Sequence, residues 1–202
     1  MEIYYNVVRD AEGLKAACAE LAGVRSLGFD TETTELDPYK GDLRLLQIST
    51  GAKTQVIDLK PFRAKGDVRT LPDLQPLRDL LSDEKVRKIA HNAKFDAKWV
   101  RYHLGCELGG VYDTYLASIL ISAGEGERRH GLADVVQFFL GRALDKSEQV
   151  SDWAADDLSI SQIEYAARDA AIMPEVLEKL EERIQADGLA DRAQPLDRLA
   201  VP

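Results

Sequence analysis

No apolar run in this sequence approaches the length of about 18 residues at which a membrane-spanning helix becomes a candidate. The amino terminus, MEIYYNVVRD, also lacks the basic stretch and the apolar core that mark a secretory signal peptide. Together the two absences argue against a membrane partner. We therefore expect a cytoplasmic protein.

The chain contains only two cysteines and three histidines, so it has few of the residues that bind zinc or form disulfides. Cys18 and Cys106 lie far apart, and neither belongs to a pattern with metal-ligand spacing. We expect both to be reduced thiols in or near the core. The sequence does not support a zinc centre.

Positive charge is also scarce, because 26 Lys and Arg face 35 Asp and Glu, which leaves a formal net charge of −9. Proteins that bind duplexes are usually basic, since Lys and Arg displace counterions from phosphates. An enzyme that holds its substrate through divalent cations needs clustered acids instead, with only a local basic rim. For any single basic residue, an ordinary solvated surface charge is the favoured interpretation. Candidates for a rim are Lys85, Arg87, Lys88, Lys94, Lys98 and Arg101 around HNAKFD, and Arg128, Arg129 and His130 in a probable loop.

The 202 residues, 45% hydrophobic and 30% charged, have the size and composition of one globular domain. We expect residues 1–185 to form that domain. Residues 186–202 have weak periodicity and two prolines, so they are expected to be a tail or a linker.

Hydrophobic periodicity predicts helices and strands in alternation. Helices are predicted near residues 10–22, 72–82 and 95–105, after Asp113, after His130, and from Ser161 onward. Strands are predicted near residues 26–32, 43–50, 54–59, 86–91 and 110–112, the first three joined by short turns as in antiparallel pairs. This order predicts an α/β fold, with a mixed sheet flanked by helices on both faces.

Several residues mark the ends of these helices. Gly105 suits the left-handed position past a helix end, and Asp113 is a typical residue for a helix start. Ser161 and Glu164 have the spacing of a capping box, and Pro174 is expected to kink the last helix. The segment SAGEGERRHG is expected to be a mobile loop.

Acidic residues recur in three segments, GFDTET, HNAKFD and YAARDA. Asp30 and Glu32 are two apart in a predicted strand, so both side chains point to one face of the sheet. Asp96 lies near the start of a predicted helix. Tyr165 and Asp169 are four apart inside another, which places them on one helical face.

A lone Asp-x-Glu proves little, because about one is expected by chance in a chain this acidic. The complete set is more informative. Asp30 follows Leu27 and Phe29, and Asp169 stands among alanines. Buried carboxylates are costly without a partner, and their oxygen atoms suit Mg²⁺ or Mn²⁺. The sequence therefore predicts a divalent-metal site.

FDTET, NAKFD and YAARD resemble the three motifs of the DEDD superfamily of 3'→5' exonucleases, in the branch with a tyrosine in the third motif. That branch includes the proofreading domain of DNA polymerase I, ribonuclease D and the Werner-type exonucleases. The resemblance runs from about residue 25 to residue 183, and LDKSEQVSDWA is also similar. It implies a ribonuclease H-like architecture and phosphodiester hydrolysis at a 3' end.

The resemblance also implies two bound ions, Mg²⁺ or Mn²⁺. Asp30, Glu32 and Asp169 would bind the first ion. Asp30 would bridge to the second, which Asp96 would support. Tyr165 would orient the attacking water, because a tyrosine with a pKa near 10 is a poor base at neutral pH.

Three further residues match substrate-binding positions of the family. Thr33 would lie near the 3' hydroxyl, Leu36 against the last base, and Asn92 against the substrate. Ordinary packing explains Leu36 equally well, and an amide capping the helix would look like Asn92. Gln47 faces either a sheet neighbour or the site.

The favoured substrate is the 3' end of single-stranded DNA, because FDTETTELDPYKGDLRLLQIS and RRHGLADVVQFFLG look closer to the polymerase-linked proofreading domains than to ribonuclease D. A polymerase domain beyond the C-terminus is consistent with this expectation. The alternatives are a ribonuclease D-like exoribonuclease, a non-catalytic nucleic-acid-binding module and an endonuclease of related fold. The four acids and Tyr165 argue against the non-catalytic module.

Overall fold

The computed structural model describes residues 3–123, 129–194 and 196. In this part of the chain, six strands form one mixed sheet in the order β1-β4-β3-β2-β5-β6. The strands are β1 (Tyr4–Val8), β2 (Ser26–Thr33), β3 (Leu43–Ser49), β4 (Lys53–Asp58), β5 (Arg87–Ala90) and β6 (Val111–Asp113). The helices are α1 (Ala11–Glu20), α2 (Lys60–Arg63), α3 (Gln75–Ser82, after a 3₁₀ turn at Pro72–Leu74), α4 (Lys94–Leu104), α5 (Thr114–Ile121), α6 (Leu132–Leu140), α7 (Ile160–Ala186) and α8 (Ala190–Ala193).

The centre of the sheet is the antiparallel meander β2-β3-β4 that the short turns predicted. β5 and β6 extend the sheet in parallel beyond β2, and β1 pairs in parallel with β4 at the other edge. β1 was not predicted. Its segment YYNVV is half exposed and depends on a distant partner, for example through the hydrogen bond from Asn6 Nδ2 to Gln55 Oε1 at 3.0 Å.

Helices cover both faces of the sheet, as expected. On one face, Leu27 and Phe29 of β2 pack in a core that includes Trp99 of α4 and residues of α1 and α3. On the other face, Leu45 of β3 packs with Ile163 of α7, and a further cluster joins α5, α6 and α7 to β5. The two layers place α4 and α7 on opposite sides of β2.

α7 approaches β2 more closely than an ordinary side chain would permit. A Cβ atom at Gly28 would lie only 2.0 Å from the carbonyl oxygen of Ala170. The buried face of α7 carries small residues here, Ala166, Ala167 and Ala170. This contact between backbones sets the height of α7 above the strand that carries Asp30.

Most helix ends match the expectations, and one does not. Gly105 ends α4 in the left-handed conformation, and the Asp113 carboxylate accepts from the amides at the start of α5. The capping box of α7 is formed by Ser159 and Gln162, so the prediction of Ser161 and Glu164 is wrong. The Ser161 hydroxyl instead donates to Glu148 Oε1 at 2.7 Å. α7 continues as one helix through Pro174.

The segment after residue 186 is partly folded against the domain. α8 packs against α5 and α7, and Leu196 is buried in the same cluster. Residues 124–128 of the expected loop SAGEGERRHG, including Arg128, lie outside the described residues. None of the helices in the described ranges combines the length and apolarity needed to cross a bilayer.

Candidate metal centre

Asp30 and Glu32 lie on the face of β2 that α7 covers. In the antiparallel ladder, Asp30 pairs with Gln47 and Glu32 pairs with Leu45. Residues paired across an antiparallel ladder point to the same face, and Leu45 belongs to the cluster beneath α7. The two acids are half-buried. They lie just before the bulge between Glu32 and Thr33, where the strand leaves the sheet.

Tyr165 and Asp169 reach the same place from above. They are one helical turn apart on α7, and both are buried at 7% exposure. Tyr165 packs in the cluster that contains Leu45, and its ring centroid lies 6.4 Å from that of Trp153. The close contact at Gly28 therefore brings this face of α7 down onto the two acids of β2.

Asp96 approaches from α4, on the opposite side of β2. It is buried, and its Oδ1 accepts a hydrogen bond from the Thr31 hydroxyl at 2.6 Å. Thr31 is the residue between Asp30 and Glu32, so its side chain points to the α4 face. This role of Thr31 was not predicted from the sequence, although the strand alternation that places the two acids together also places Thr31 opposite them.

The start of α4 is held by Asp113 rather than by a residue of its own segment. The backbone amides of Asn92 and Ala93 donate to the two Asp113 oxygens, each at 3.0 Å. The same carboxylate accepts from the amide of Tyr115 at 2.9 Å. Asp113 is thus the helix cap that was expected, and it also positions the helix that carries Asp96.

The four acids of the site all have raised pKa values, and burial is the largest cause for each of them. Burial raises the pKa of Asp30 well above its usual range, and the charges of three neighbouring carboxylates raise it further. Those neighbours are Glu32, Asp96 and Asp169. Burial likewise raises the pKa of Glu32, with added repulsion from Asp169 and Asp96.

The two acids on the helices are shifted in the same direction. Burial raises the pKa of Asp96 to about 7, although the hydrogen bond from Thr31 works against the rise. Burial also raises the pKa of Asp169 to about 7, against the lowering effect of the Tyr165 hydroxyl. Burial and the nearby charge of Asp169 raise the pKa of Tyr165, so its hydroxyl keeps its proton at neutral pH.

The donors present fit a divalent cation. Oδ1 of Asp169 is buried without a hydrogen-bond partner, and a bound cation would satisfy it. In the described ranges, no three Asp, Glu, His or Cys side chains already form a closed metal-binding group. The acids are near enough to repel one another, but their oxygen atoms are not yet arranged around one point. A cation would have to draw these oxygen atoms together. Hard carboxylate ligands of this kind suit Mg²⁺ or Mn²⁺.

The expected substrate-binding residues are all at least partly accessible to solvent. Thr33 follows the bulge, and its hydroxyl donates to the Glu35 carbonyl at 2.7 Å. Leu36 is 82% exposed, so ordinary core packing does not explain it. Asn92 is exposed and has a φ of 62°, and no side chain caps α4. The alternative in which the Asn92 amide caps this helix is therefore wrong.

Gln47 lies on the site face of the sheet. It is fully buried opposite Asp30, and both polar atoms of its amide lack a hydrogen-bond partner. The sequence left its direction open. The antiparallel register, which only the structure supplies, resolves it.

The basic rim is smaller than the sequence suggested. Lys88 is buried, its Nζ donates to the Asp83 carbonyl at 2.7 Å, and burial lowers its pKa to about 8. Arg87 pairs with Glu181 at 2.8 Å. The basic residues of the rim that lie exposed on α4 are Lys94, Lys98 and Arg101.

Comparison with known proteins gives a consistent result. A family model described as a 3'-5' exonuclease matches residues 5–185. DNA polymerase I of Aquifex aeolicus is 36% identical over 181 residues, which are 89% of this chain and 28% of that protein. Ribonuclease D of Sphingobium indicum is 30% identical over 198 residues, which are 97% of this chain and 48% of that protein.

Among solved structures, Brucella melitensis NrnC with bound Mg²⁺ has a TM-score of 0.76 at 29% identity, and the match covers 98% of this chain and 91% of that one. The same nuclease bound to pGG has a TM-score of 0.76 at 28% identity, with the same coverage. These similarities, with the mixed sheet described above, confirm the ribonuclease H-like fold.

A ribonuclease H-like sheet with four acids contributed by one strand and two helices is the framework of a metal-dependent nuclease. The chain belongs to the 3'-5' exonuclease family, whose DEDD members depend on divalent metal ions. It spans 28% and 48% of the lengths of the two curated relatives described above.

Proposed function

We propose that the protein removes nucleoside 5'-monophosphates one at a time from the 3' end of single-stranded DNA. One observation carries this proposal. Four carboxylates come together from β2, α4 and α7: burial raises the pKa of Asp30, and the charges of Glu32, Asp96 and Asp169 raise it further. Folding such a set without a cation is unfavourable, and a divalent ion relieves the repulsion.

The ligand assignment follows from the positions of the acids. Asp30, Glu32 and Asp169 would hold one Mg²⁺ or Mn²⁺, and Asp30 with Asp96 would hold a second. When bound, the two ions supply an activated water and neutralise charge around the phosphorus that is attacked. The related Brucella melitensis NrnC has been solved with Mg²⁺, which supports the choice of metal.

The remaining residues bind and orient. Tyr165 keeps its proton, so its hydroxyl orients the attacking water and does not serve as a base. Leu36 presents an apolar surface to the terminal base. Thr33 and Asn92 lie beside the acids, where they hold the terminal sugar and phosphate.

DNA is favoured over RNA by two similarities. The identity to a DNA polymerase I, 36%, exceeds the 30% identity to a ribonuclease D. The segments FDTETTELDPYKGDLRLLQIS and RRHGLADVVQFFLG also look closest to proofreading domains. A polymerase domain beyond residue 202 stays a prediction. The second candidate is an exoribonuclease, favoured by the ribonuclease D relative and by the pGG that NrnC binds.

The deciding experiment compares 5'-labelled single-stranded DNA and RNA of one sequence, digested side by side with Mg²⁺ or Mn²⁺. We expect stepwise shortening from the 3' end, faster on DNA. Faster shortening of RNA would reverse the ranking of the two substrates. A single internal cut in a substrate with a blocked 3' end would indicate an endonuclease.

The matched variants are Asp30→Asn and Glu12→Gln, which alter a site acid and an exposed acid of α1. We expect Asp30→Asn to abolish shortening while oligonucleotide binding persists, and Glu12→Gln to behave as the unmodified protein. Undiminished cleavage by Asp30→Asn would contradict the assignment of the metal centre to these acids.

A further inference from the structure

A groove runs along the surface beside the metal centre. It has a volume of about 820 Å³. One wall is the loop after β2, and the other is the outer side of α4. The side chains that line the groove include Leu36, Tyr39, Arg69, Lys98, Arg101 and Tyr102. A second cavity of about 280 Å³ adjoins it and shares Arg69 and Tyr102.

The groove exposes apolar side chains that the fold does not use. Leu36 is 82% exposed, Tyr39 is 78% exposed and Tyr102 is 40% exposed. The rings of Tyr39 and Tyr102 meet edge to face with centroids 4.7 Å apart. Large side chains grouped on a surface in this way mark a binding site more often than chance exposure does.

The loop that carries Tyr39 is held against α4. His103 Nε2 donates to the carbonyl oxygen of Pro38 at 3.2 Å, and the His103 ring stacks on Trp99 with centroids 5.1 Å apart. Trp99 is fully buried. The aromatic pair therefore stands on a supported base, and little ordering is required of it when a ligand binds.

The groove carries more basic than acidic side chains, in a protein whose formal net charge is −9. Its lining contains three cations, Arg69, Lys98 and Arg101, and one carboxylate, Asp37. Surface ion pairs join Asp37 to Lys40 at 3.7 Å, Arg69 to Asp67 at 2.7 Å and Arg101 to Glu107 at 3.2 Å, whereas Lys98 forms no ion pair within the described residues. A local excess of positive charge beside exposed aromatic rings is the usual surface for single-stranded nucleic acid.

The groove is lined by the two segments that continue from the acids along the chain. Leu36 follows the strand of Asp30 and Glu32 and lines the groove. On α4, Asp96 turns inward to Thr31, while Lys98 and Tyr102 lie on the outer side one helical turn apart. A strand whose 3' end is at the acids has this groove as its continuation.

We propose that the groove binds the nucleotides that precede the 3'-terminal one, with bases stacked on Tyr39 and Tyr102 and phosphates near Lys98 and Arg101. This inference rests on the proposed function, because the exonuclease site fixes the position of the 3' end. It adds a binding site whose occupancy depends on the length of the strand.

The test measures kcat/KM for removal of the first nucleotide from oligonucleotides of increasing length, from a dinucleotide to an octanucleotide. In the unmodified protein we expect kcat/KM to rise with length. In the double variant Tyr39→Ala with Tyr102→Ala we expect the octanucleotide to lose its advantage, by roughly 10-fold or more, since each base stack is lost. Tyr4→Ala is the matched control, because Tyr4 is 64% exposed on β1 and outside the groove.

A second variant tests the charge without touching the rings. Lys98→Gln is expected to reduce the dependence of octanucleotide kcat/KM on salt, because one phosphate contact is removed. Length dependence unchanged in the double variant would overturn the proposal. So would a double variant that changes only the oligomeric state in sedimentation, which would make the surface a contact between copies of this chain.

Binding in the groove can be tested independently of nuclease activity. Fluorescence anisotropy of Asp30→Asn with labelled oligonucleotides reports the groove without cleavage. Tighter binding of longer strands that requires Tyr39 and Tyr102 supports the groove even if no nuclease activity is found. Cleavage with length dependence that ignores both tyrosines supports the exonuclease and rejects the groove.

Discussion

Thr31 links the two sides of the metal centre at the scale of a single residue. Its neighbours in the strand, Asp30 and Glu32, face α7, while its own hydroxyl reaches Asp96 on α4 at 2.6 Å. The bond lowers the pKa of Asp96 against the larger effect of burial. A threonine between two acids therefore stabilises the ionised form of a third acid on the other side of the strand.

Thr31→Val tests this link, because valine keeps the shape and removes the donor. We expect the pKa of Asp96 to rise and the free energy of unfolding at pH 8 to fall by about 1–3 kcal/mol, as a buried carboxylate loses its partner. The loss should be smaller near pH 5, where Asp96 is protonated. Urea unfolding at both pH values, with Thr33→Val as the comparison, measures it. An equal loss at the two pH values would contradict the assignment.

Gln47 carries an unsatisfied buried amide opposite Asp30. Replacing it should therefore show how much this amide lowers the free energy of unfolding. We expect Gln47→Leu to raise the free energy of unfolding of the metal-free protein by about 1–3 kcal/mol, because an unpartnered buried amide is removed. Gln47→Glu should be destabilising above pH 7, since it adds a fifth carboxylate beside Asp30. Denaturant melts in the presence of a chelator decide the signs, and a stabilising Gln47→Glu would be the clearest contradiction.

Single residues differ in how far sequence alone could place them. The two-residue period of a strand predicted that Asp30 and Glu32 share a face. The position of an aspartate directly before a helical segment predicted Asp113 as a cap. Lys88 was misplaced, because a lysine in VRKIAH reads as a surface charge until the carbonyl groups that bind its Nζ are known. Gln47 needed the strand register, which arises from pairing between distant segments.

At the scale of elements, the contact of α7 with β2 decides the geometry of the site. Gly28 has no side chain, so the carbonyl of Ala170 can lie against the strand. Asp169 directly precedes Ala170 on this helix, and Tyr165 lies about one helical turn before Asp169. Any shift of α7 relative to β2 would therefore move Tyr165 and Asp169 as well.

Gly28→Ala should change both stability and activity, because the new Cβ would lie 2.0 Å from the Ala170 oxygen and the helix has to move. We expect a loss of unfolding free energy of about 1–3 kcal/mol or more, with a fall in kcat on intact folded protein. Gly131→Ala, where the nearest atom is the carboxylate end of Asp134 at 3.0 Å, is the matched control. Full activity of Gly28→Ala would mean that α7 does not set the site.

Elements with strong local signals were predicted, and those that depend on distant partners were not. The meander β2-β3-β4 and the helices α1, α4 and α6 follow from periodicity. β1 is a half-exposed edge strand, and α2 and α8 are only four residues long, so none has a local pattern to detect. The predicted start of α7 was displaced by two residues, because Ser159 and Ser161 both have a Gln or Glu three residues later.

For the molecule as a whole, the gathered acids should make stability depend on pH and metal together. Asp96 and Asp169 have folded pKa values raised to about 7, so the unfolded chain gives up these protons first. Stability from these groups is therefore present near pH 4 and lost as pH rises through about 7. A bound cation reverses the loss, since it binds the ionised carboxylates.

The expected result is a larger rise of Tm on adding Mg²⁺ at about pH 8 than at about pH 5.5, measured against protein in chelator. Asp30→Asn should reduce the rise at the higher pH, and Glu12→Gln should leave it unchanged. An equal rise at both pH values would show that the ion binds elsewhere.

The carboxylate of Asp113 has a consequence for how this site is mapped by mutation. It holds the start of α4 through Asn92 and Ala93 and the start of α5 through Tyr115, so its removal would displace Asp96 without removing a ligand. A survey that replaces each acid by alanine and records lost activity would count five ligands instead of the four that we propose. Titration with metal separates them, because raising the Mg²⁺ concentration compensates for a weakened ligand and does not rebuild the turn that Asp113 holds.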